Sequence, residues 1–177
     1  NGNTVKAFIT AIGSAKETIA LKAGNYTLLT NLTVPANITL KILPGAKISH
    51  STFTLGIASR DIGNMPFQWL SGTGAVTFSG SVCDAWPEEF GIDGTEDQVE
   101  MNYAIQALHK GTVHANGAYV TTDTIVNKSG VNLEGPAGGF GNPEFGIDYT
   151  GSGSAIMLSG NSDVTVSKLN VRVNNPA

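Results

Sequence analysis

Acidic side chains crowd one short stretch of this chain, and their types and spacing are those that acid–base chemistry on a sugar would use. Asp93, Glu96, Asp97 and Glu100 fall within eight residues of one another. Paired carboxylates can act as general acid and base on a glycosidic bond, or hold calcium so that a uronate proton becomes acidic. A plainer account covers most of the cluster. Asp97 followed three residues later by Glu100 has the spacing of a capping box, and Glu96 would sit at the favourable positive end of the same helix. Asp93, Glu96 and Asp97 stay as acidic candidates, but the sequence assigns no catalytic residue. The stretch does not match an EF-hand loop, and no Asp-rich repeat recurs elsewhere.

Other chemistries find less support. His50, His109 and His114 have no ligand-like spacing with Cys83 or with each other, so no metal site is expected. No GxSxG elbow is present, and Gly151-Ser152-Gly153 and Gly72-Thr73-Gly74 read as loose turns rather than phosphate loops, so no cofactor is expected. Cys83, the single cysteine, excludes an intrachain disulfide and reads as a small buried or half-buried residue. Aromatic rings offer a better route to a ligand, because they stack on sugar faces while Asn, Asp and Thr supply hydrogen bonds. Trp69, Trp86 and Tyr149 lie beside loops and are the carbohydrate-binding candidates. Against this, Trp69 could belong to a core column and Trp86 could pack the crossing to the central helix.

The elements that must position these residues are short. The chain has 177 residues, enough for one substantial core, and 22 of them are glycine while only 14% are charged, which suits many tight turns between short strands. Its net charge of -4, with no local run of Lys or Arg, gives no footprint for nucleic acid. No apolar run approaches the roughly 20 residues of a membrane helix. The first residue is Asn1 rather than methionine, which reads as a cut N-terminus. Thr4 to Ala15 has the spacing of a helix, capped by Thr4, with Val5, Phe8, Ile9 and Ile12 on one face. Period-two runs follow, among them Leu28 to Val34 and Ile38, Leu40 and Ile42, broken by Gly24-Asn25 and Pro44-Gly45. Ala58 to Trp69 reads as irregular. A second helix is expected at about 97–109, with Met101, Ala104, Ile105 and Leu108 inward, and a longer loop from Gly135 to Phe145.

Two halves of this pattern repeat. Gly24 and Tyr26 stand 93 residues before Gly117 and Tyr119, and Leu40 stands the same distance before Leu133. Strands of three to six residues separated by Gly, Asn or Pro corners fit a solenoid better than a sandwich of longer hairpin strands. The interior would then hold Ile38, Leu40, Leu133, Ile156 and Val166, and the helices would cover edges that otherwise present unpaired backbone. The halves divide at 1–82 and 83–177.

The central segment is more specific than the pattern. PEEFGIDGTEDQVEMNYAIQALHKGTVHANGAYV, from Pro87 to Val120, resembles the entry segment of pectate-lyase-like right-handed β-helix proteins. The matching residues are Phe90-Gly91, Asp93-Gly94, Glu96-Asp97, Ala104-Ile105-Gln106-Ala107, Gly111-Thr112-Val113, and Gly117 with Tyr119. Glu89 stands where that family often has tryptophan, and Asn116 where proline is usual. The resemblance implies an all-β fold, a right-handed single-stranded parallel β-helix solenoid with short capping helices. It also implies an extracellular, cell-surface or virion-tail setting, a polysaccharide or cell-surface glycan as partner, and a homo-oligomer, often a trimer in phage tailspikes. The family includes polysaccharide lyases and glycoside hydrolases, but the dispersed acids and the presence of only two arginines, Arg60 and Arg172, argue that this stretch engages polysaccharide without cleaving it. A structural or adhesive module is the rival expectation. The chain also reads as stopping part-way through a coil, so that the full β-helix would continue beyond Ala177.

Overall fold

The computed structural model describes residues 2–63, 66–136, 146–158 and 160–174, with side chains described from Thr4 onward. Nearly all regular structure is short parallel strand, stacked as a β-solenoid, with two short α-helices. Two compact units result. The first comprises residues 1–83 and 89–91, and the second residues 84–88 and 92–177.

In the first unit, α1 (Gly2–Ile12) leads into nine strands. They are β1 (Glu17–Leu21), β2 (Gly24–Thr27), β3 (Leu32–Val34), β4 (Ile38–Ile42), β5 (Ala46–Ser51), β6 (Leu55–Ile57), β7 (Arg60–Asp61), β8 (Leu70–Gly72) and β9 (Val76–Phe78). They form three parallel sheets ordered β1-β4-β7, β2-β5-β8 and β3-β6-β9, so every third strand stacks on its predecessor. Alternation decides which side chains enter the core. In β4, Ile38, Leu40 and Ile42 are buried while Lys41 is exposed. Register then builds columns: Leu32 over Leu55 over Val76, and Val34 over Ile57 over Phe78. The chain turns a corner within one coil, from β4 to β5, at Pro44-Gly45, where Gly45 has φ +82 and the Ala46 amide reaches back to Leu43 O at 3.0 Å.

In the second unit, β10 (Asp84–Ala85) precedes α2 (Gln98–Ala107). The remaining strands are β11 (Gly111–His114), β12 (Ala118–Thr121), β13 (Ile125–Val126), β14 (Val131–Glu134), β15 (Gly146–Tyr149), β16 (Ile156–Met157), β17 (Val166–Ser167) and β18 (Val171–Val173). The sheets run β10-β11-β14-β17, β12-β15-β18 and β13-β16, all parallel. The 93-residue repeat is visible in the elements: β2, β3 and β4 recur as β12, β13 and β14, each trio preceded by a helix.

α2 does more than pack. Met101, Ala104 and Ile105 are fully buried, and the helix lies along β10, β12 and β13. Its polar side chains meet the open backbone edge of β12 and β13. Gln98 Oε1 accepts the Thr122 amide at 3.1 Å, and Asn102 Oδ1 accepts the Val126 amide at 2.8 Å. Lys128 Nζ donates to Gln106 O at 2.8 Å. Residues 98, 102 and 106 recur at the i, i+4 spacing of one helix face, so a row of side chains and carbonyls stands where a neighbouring strand would be.

Several expectations change. The first helix starts at Gly2 and stops at Ile12, so Thr4 lies inside it, and Gly13 with φ +61 terminates it. Of its expected apolar stripe only Val5 is buried; Phe8 is 57% exposed. β7 and its Arg60 interrupt the stretch expected to be irregular. Cys83 is exposed, because it follows Val82 beyond the end of β9 rather than pointing inward. Ile156 and Val166 are half-buried, since β16 and β17 pair on only one side. The expected loop from Gly135 to Phe145 lies mostly in 137–145, outside the described residues.

Candidate functional site

The acidic stretch is a turn in which Asp97 is the organiser, not a helix cap. Asp97 has helical backbone angles and its side chain makes no capping bond to α2. Fully buried, it accepts the Gly94 amide at 3.0 Å and the Asp93 amide at 3.3 Å through Oδ1, and the Val120 amide at 2.7 Å through Oδ2. Its own amide donates to Val120 O at 2.8 Å. The capping-box reading fails because these amides, brought in by the turn and by β12, take both oxygens. Three of its roughly four acceptor positions are taken, and full burial keeps the carboxylate away from any substrate in solvent. Asp93 is exposed but folded onto Thr95, accepting its amide at 2.9 Å and its hydroxyl at 2.7 Å, and those bonds hold its carboxyl below the usual range. Glu96 is exposed in the left-handed region at φ +54. Burial pushes the Glu100 carboxyl up, with the Asp97 and Asp93 charges adding to it. The structure therefore brings the acidic candidates together as one helix-entry turn.

The aromatic candidates separate. Trp69 is fully buried, its indole N–H donating to Glu89 Oε1 at 2.8 Å and its ring stacked near Phe78 with centroids 6.4 Å apart. Glu89 also holds Arg60 at 2.9 Å, and that guanidinium lies 4.5 Å over the Phe78 ring. This buried group is a core feature of the first unit. Tyr149 is buried too, and its hydroxyl accepts the Gly153 amide at 2.8 Å, so its faces serve packing and a turn. Trp86 alone among the three is partly open to solvent.

Trp86 stands at the head of a polar surface that sequence reading missed. Its ring stacks on His114, with centroids 5.0 Å apart and planes at 24°. His114 Nε2 lies 2.9 Å from Asp84 Oδ1, and its Nδ1 lies 3.7 Å from Glu134 Oε2. Lys168 Nζ follows, 2.6 Å from Glu134 Oε1. That bond and charge, with a smaller contribution from His114, hold the Glu134 carboxyl low. The parallel register explains the arrangement. Val113 and Leu133 point inward on β11 and β14, so His114 and Glu134, paired across those strands, point outward with Ser167 beside them on β17. A second outward row joins Asp84, Thr112 and Asn132. Adjacent strands lie about 4.8 Å apart, so the face is a flat grid of hydroxyl, amide and carboxylate groups with one aromatic ring at its edge.

A third contact lies nearby in the same unit. The Tyr119 hydroxyl donates to Glu88 Oε1 at 2.7 Å and accepts the Gly117 amide at 2.9 Å. Burial and the Glu88 charge raise the Tyr119 hydroxyl far above its ordinary range, so it stays protonated as a hydrogen-bond donor.

Asp84 lies 30 residues before His114 and Glu134 lies 20 after it, and only the coil spacing would have revealed them. Among the described residues no group of three His, Cys, Asp or Glu side chains has the geometry to hold a metal ion, and no helix is long and apolar enough to cross a membrane. No protein-family model, curated protein or solved structure matches this chain.

Proposed function

We propose that this chain is a glycan-engaging β-solenoid module, and that the outer face of β10-β11-β14-β17 is its contact surface. One observation carries the reading: the partly exposed Trp86 ring, held in place by stacking on His114, borders a grid of Thr112, Asn132, Glu134 and Ser167. A ring of this kind covers the C–H face of a sugar while the neighbouring polar groups meet its hydroxyls. In this reading the module binds and does not cleave, since Asp97 is fully buried with three amides on it and Asp93 is folded into its own turn. The resemblance of the central segment supports reading it as akin to pectate-lyase-like β-helix proteins of the extracellular, cell-surface or virion-tail kind. Its partner is a polysaccharide or cell-surface glycan, and it works as a homo-oligomer, a trimer in the tailspike setting.

Affinity electrophoresis of the purified chain through gels containing different polysaccharides tests this. At least one should retard the wild type, and Trp86→Ala should weaken that retardation about tenfold, the scale of losing one aromatic anchor. No reducing ends should appear on incubation. Retardation equal in wild type and Trp86→Ala would remove this face from the reading.

The rival, a structural or adhesive module, is favoured by the exposed Phe8, which lines an open groove on α1 with Ile12, Ala15 and Ile19. Light scattering of Phe8→Ser beside the wild type separates the two, because loss of an oligomer with glycan binding intact assigns that face to assembly.

A further inference from the structure

We propose that the β10-β11-β14-β17 face selects uncharged, hydroxyl-rich glycans and excludes polyuronates, an inference that rests on the glycan-binding reading above. The strands of this face contribute two carboxylates, Asp84 and Glu134, together with His114. Each carboxylate is already matched: Asp84 with the His114 imidazole at 2.9 Å, and Glu134 with Lys168 at 2.6 Å. A sugar hydroxyl can donate to such a carboxylate without disturbing its partner, because an ionised carboxylate offers about four acceptor positions. The same face can meet uncharged hydroxyls through Thr112, Asn132 and Ser167.

A uronate meets a different surface. Its carboxylate would approach two others, and the Lys168 ammonium beside them is held by Glu134. The arginines, which recognise carboxylates best through their planar fork, are committed elsewhere. Arg172 faces Asp148 through two contacts, Nε to Oδ1 at 2.6 Å and an Nη to Oδ2 at 3.0 Å, on β18 and β15. Arg60 is buried against Glu89 in the first unit. Desolvating a ligand carboxylate with no cation to receive it disfavours binding, so the face discriminates by repulsion as well as by contact.

The test titrates the full chain with length-matched neutral oligosaccharides from β-glucan, xylan and mannan, and with oligogalacturonate, at low and at physiological salt. Calorimetry gives affinity, and tryptophan fluorescence locates the event: Trp86→Phe should abolish the response, leaving only the buried Trp69. The expected result is binding of at least one neutral oligosaccharide with little salt dependence, and binding of oligogalacturonate weaker by about tenfold or more. Asp84→Asn with Glu134→Gln, folded by circular dichroism, should narrow that gap. Asp84→Asn alone, at a half-exposed position, serves if the double variant does not fold. Oligogalacturonate binding as tightly as the neutral sugars, or a gap unchanged in the variants, overturns the selectivity while leaving glycan binding in place. Binding of none of these probes overturns the glycan reading, and this inference with it.

Discussion

Two side chains show how far a residue's role can lie from its local sequence. Asp97 looks like a cap because Glu100 follows at the right spacing, but its decisive partner, Val120, is 23 residues away. Hydrogen bonds to a charged group contribute about 1.5–3 kcal/mol each, and Asp97 is buried with three amides on it, so Asp97→Ala should cost about 3 kcal/mol or more. A lost cap would cost about 0.5–2 kcal/mol. Urea denaturation of Asp97→Ala beside Glu100→Ala checks the difference, with the second expected near 0.5 kcal/mol. His50 is the other case. It points into the first unit from β5, buried, with no hydrogen-bond partner at Nδ1. Burial lowers its pKa below the ordinary 6.5. The folded state therefore prefers neutral His50 while the unfolded chain takes up a proton near pH 6.5, so its contribution is fully present above that pH and is lost as pH falls through it toward the folded value. Denaturation at pH 7.5 and at pH 5 should show a larger loss for wild type than for His50→Leu.

At the scale of elements, the helix guarding the edge of β12 and β13 is the least conventional part. Alternation and corner residues made the strands legible, since Ile38, Leu40 and Leu133 are all fully buried as their period-two positions require. The apolar stripe of α2 was legible for the same reason. What could not be read was the use of its polar face, because Gln98 and Asn102 pair with backbone groups 24 residues onward and any exposed helix carries similar residues. Replacing both by alanine leaves the Thr122 and Val126 amides without these acceptors, and should cost about 1–3 kcal/mol per site left unsatisfied. Hydrogen exchange is the direct measurement, with those two amides losing protection while the Leu133 amide, bonded to Thr165 O, keeps it. The polar ladder of His114, Asp84 and Glu134 escaped notice for a related reason. Coil length fixes which outward residues become neighbours, and it varies here from 20 residues between His114 and Glu134 to 33 between Leu133 and Val166.

Across the whole molecule, stacking coil on coil makes stability a sum of neighbouring contributions rather than the property of one centre. The tryptophans divide the reporting between the units, Trp69 in the first and Trp86 in the second. Leu40→Ala and Leu133→Ala each remove a fully buried side chain and should cost about 2–5 kcal/mol. Denaturation followed in Trp86→Phe and Trp69→Phe backgrounds assigns each loss: Leu40→Ala should lower the Trp69 midpoint, and Leu133→Ala the Trp86 midpoint. The ratio of the two shifts for one mutation measures how far each unit feels the other. The sequence repeat foretold that both units would reuse one plan, from Gly24 and Gly117 onward. It did not foretell that α1 would keep Phe8 in solvent while α2 buries its expected stripe.

Glu88 and Glu89 are neighbours in the chain, yet the Glu88 carboxylate takes the Tyr119 hydroxyl in the second unit and the Glu89 carboxylate takes Arg60 and Trp69 in the first. The length of this connection is therefore quantised. Deleting a single residue between Pro87 and Phe90 would not merely shorten a linker; it would leave one carboxylate for two jobs and strand either a buried guanidinium or a buried phenol. Substitutions at the two positions face separate selection, whereas insertions and deletions there face both at once. Among natural variants of this chain, the pair should drift in identity more readily than in spacing.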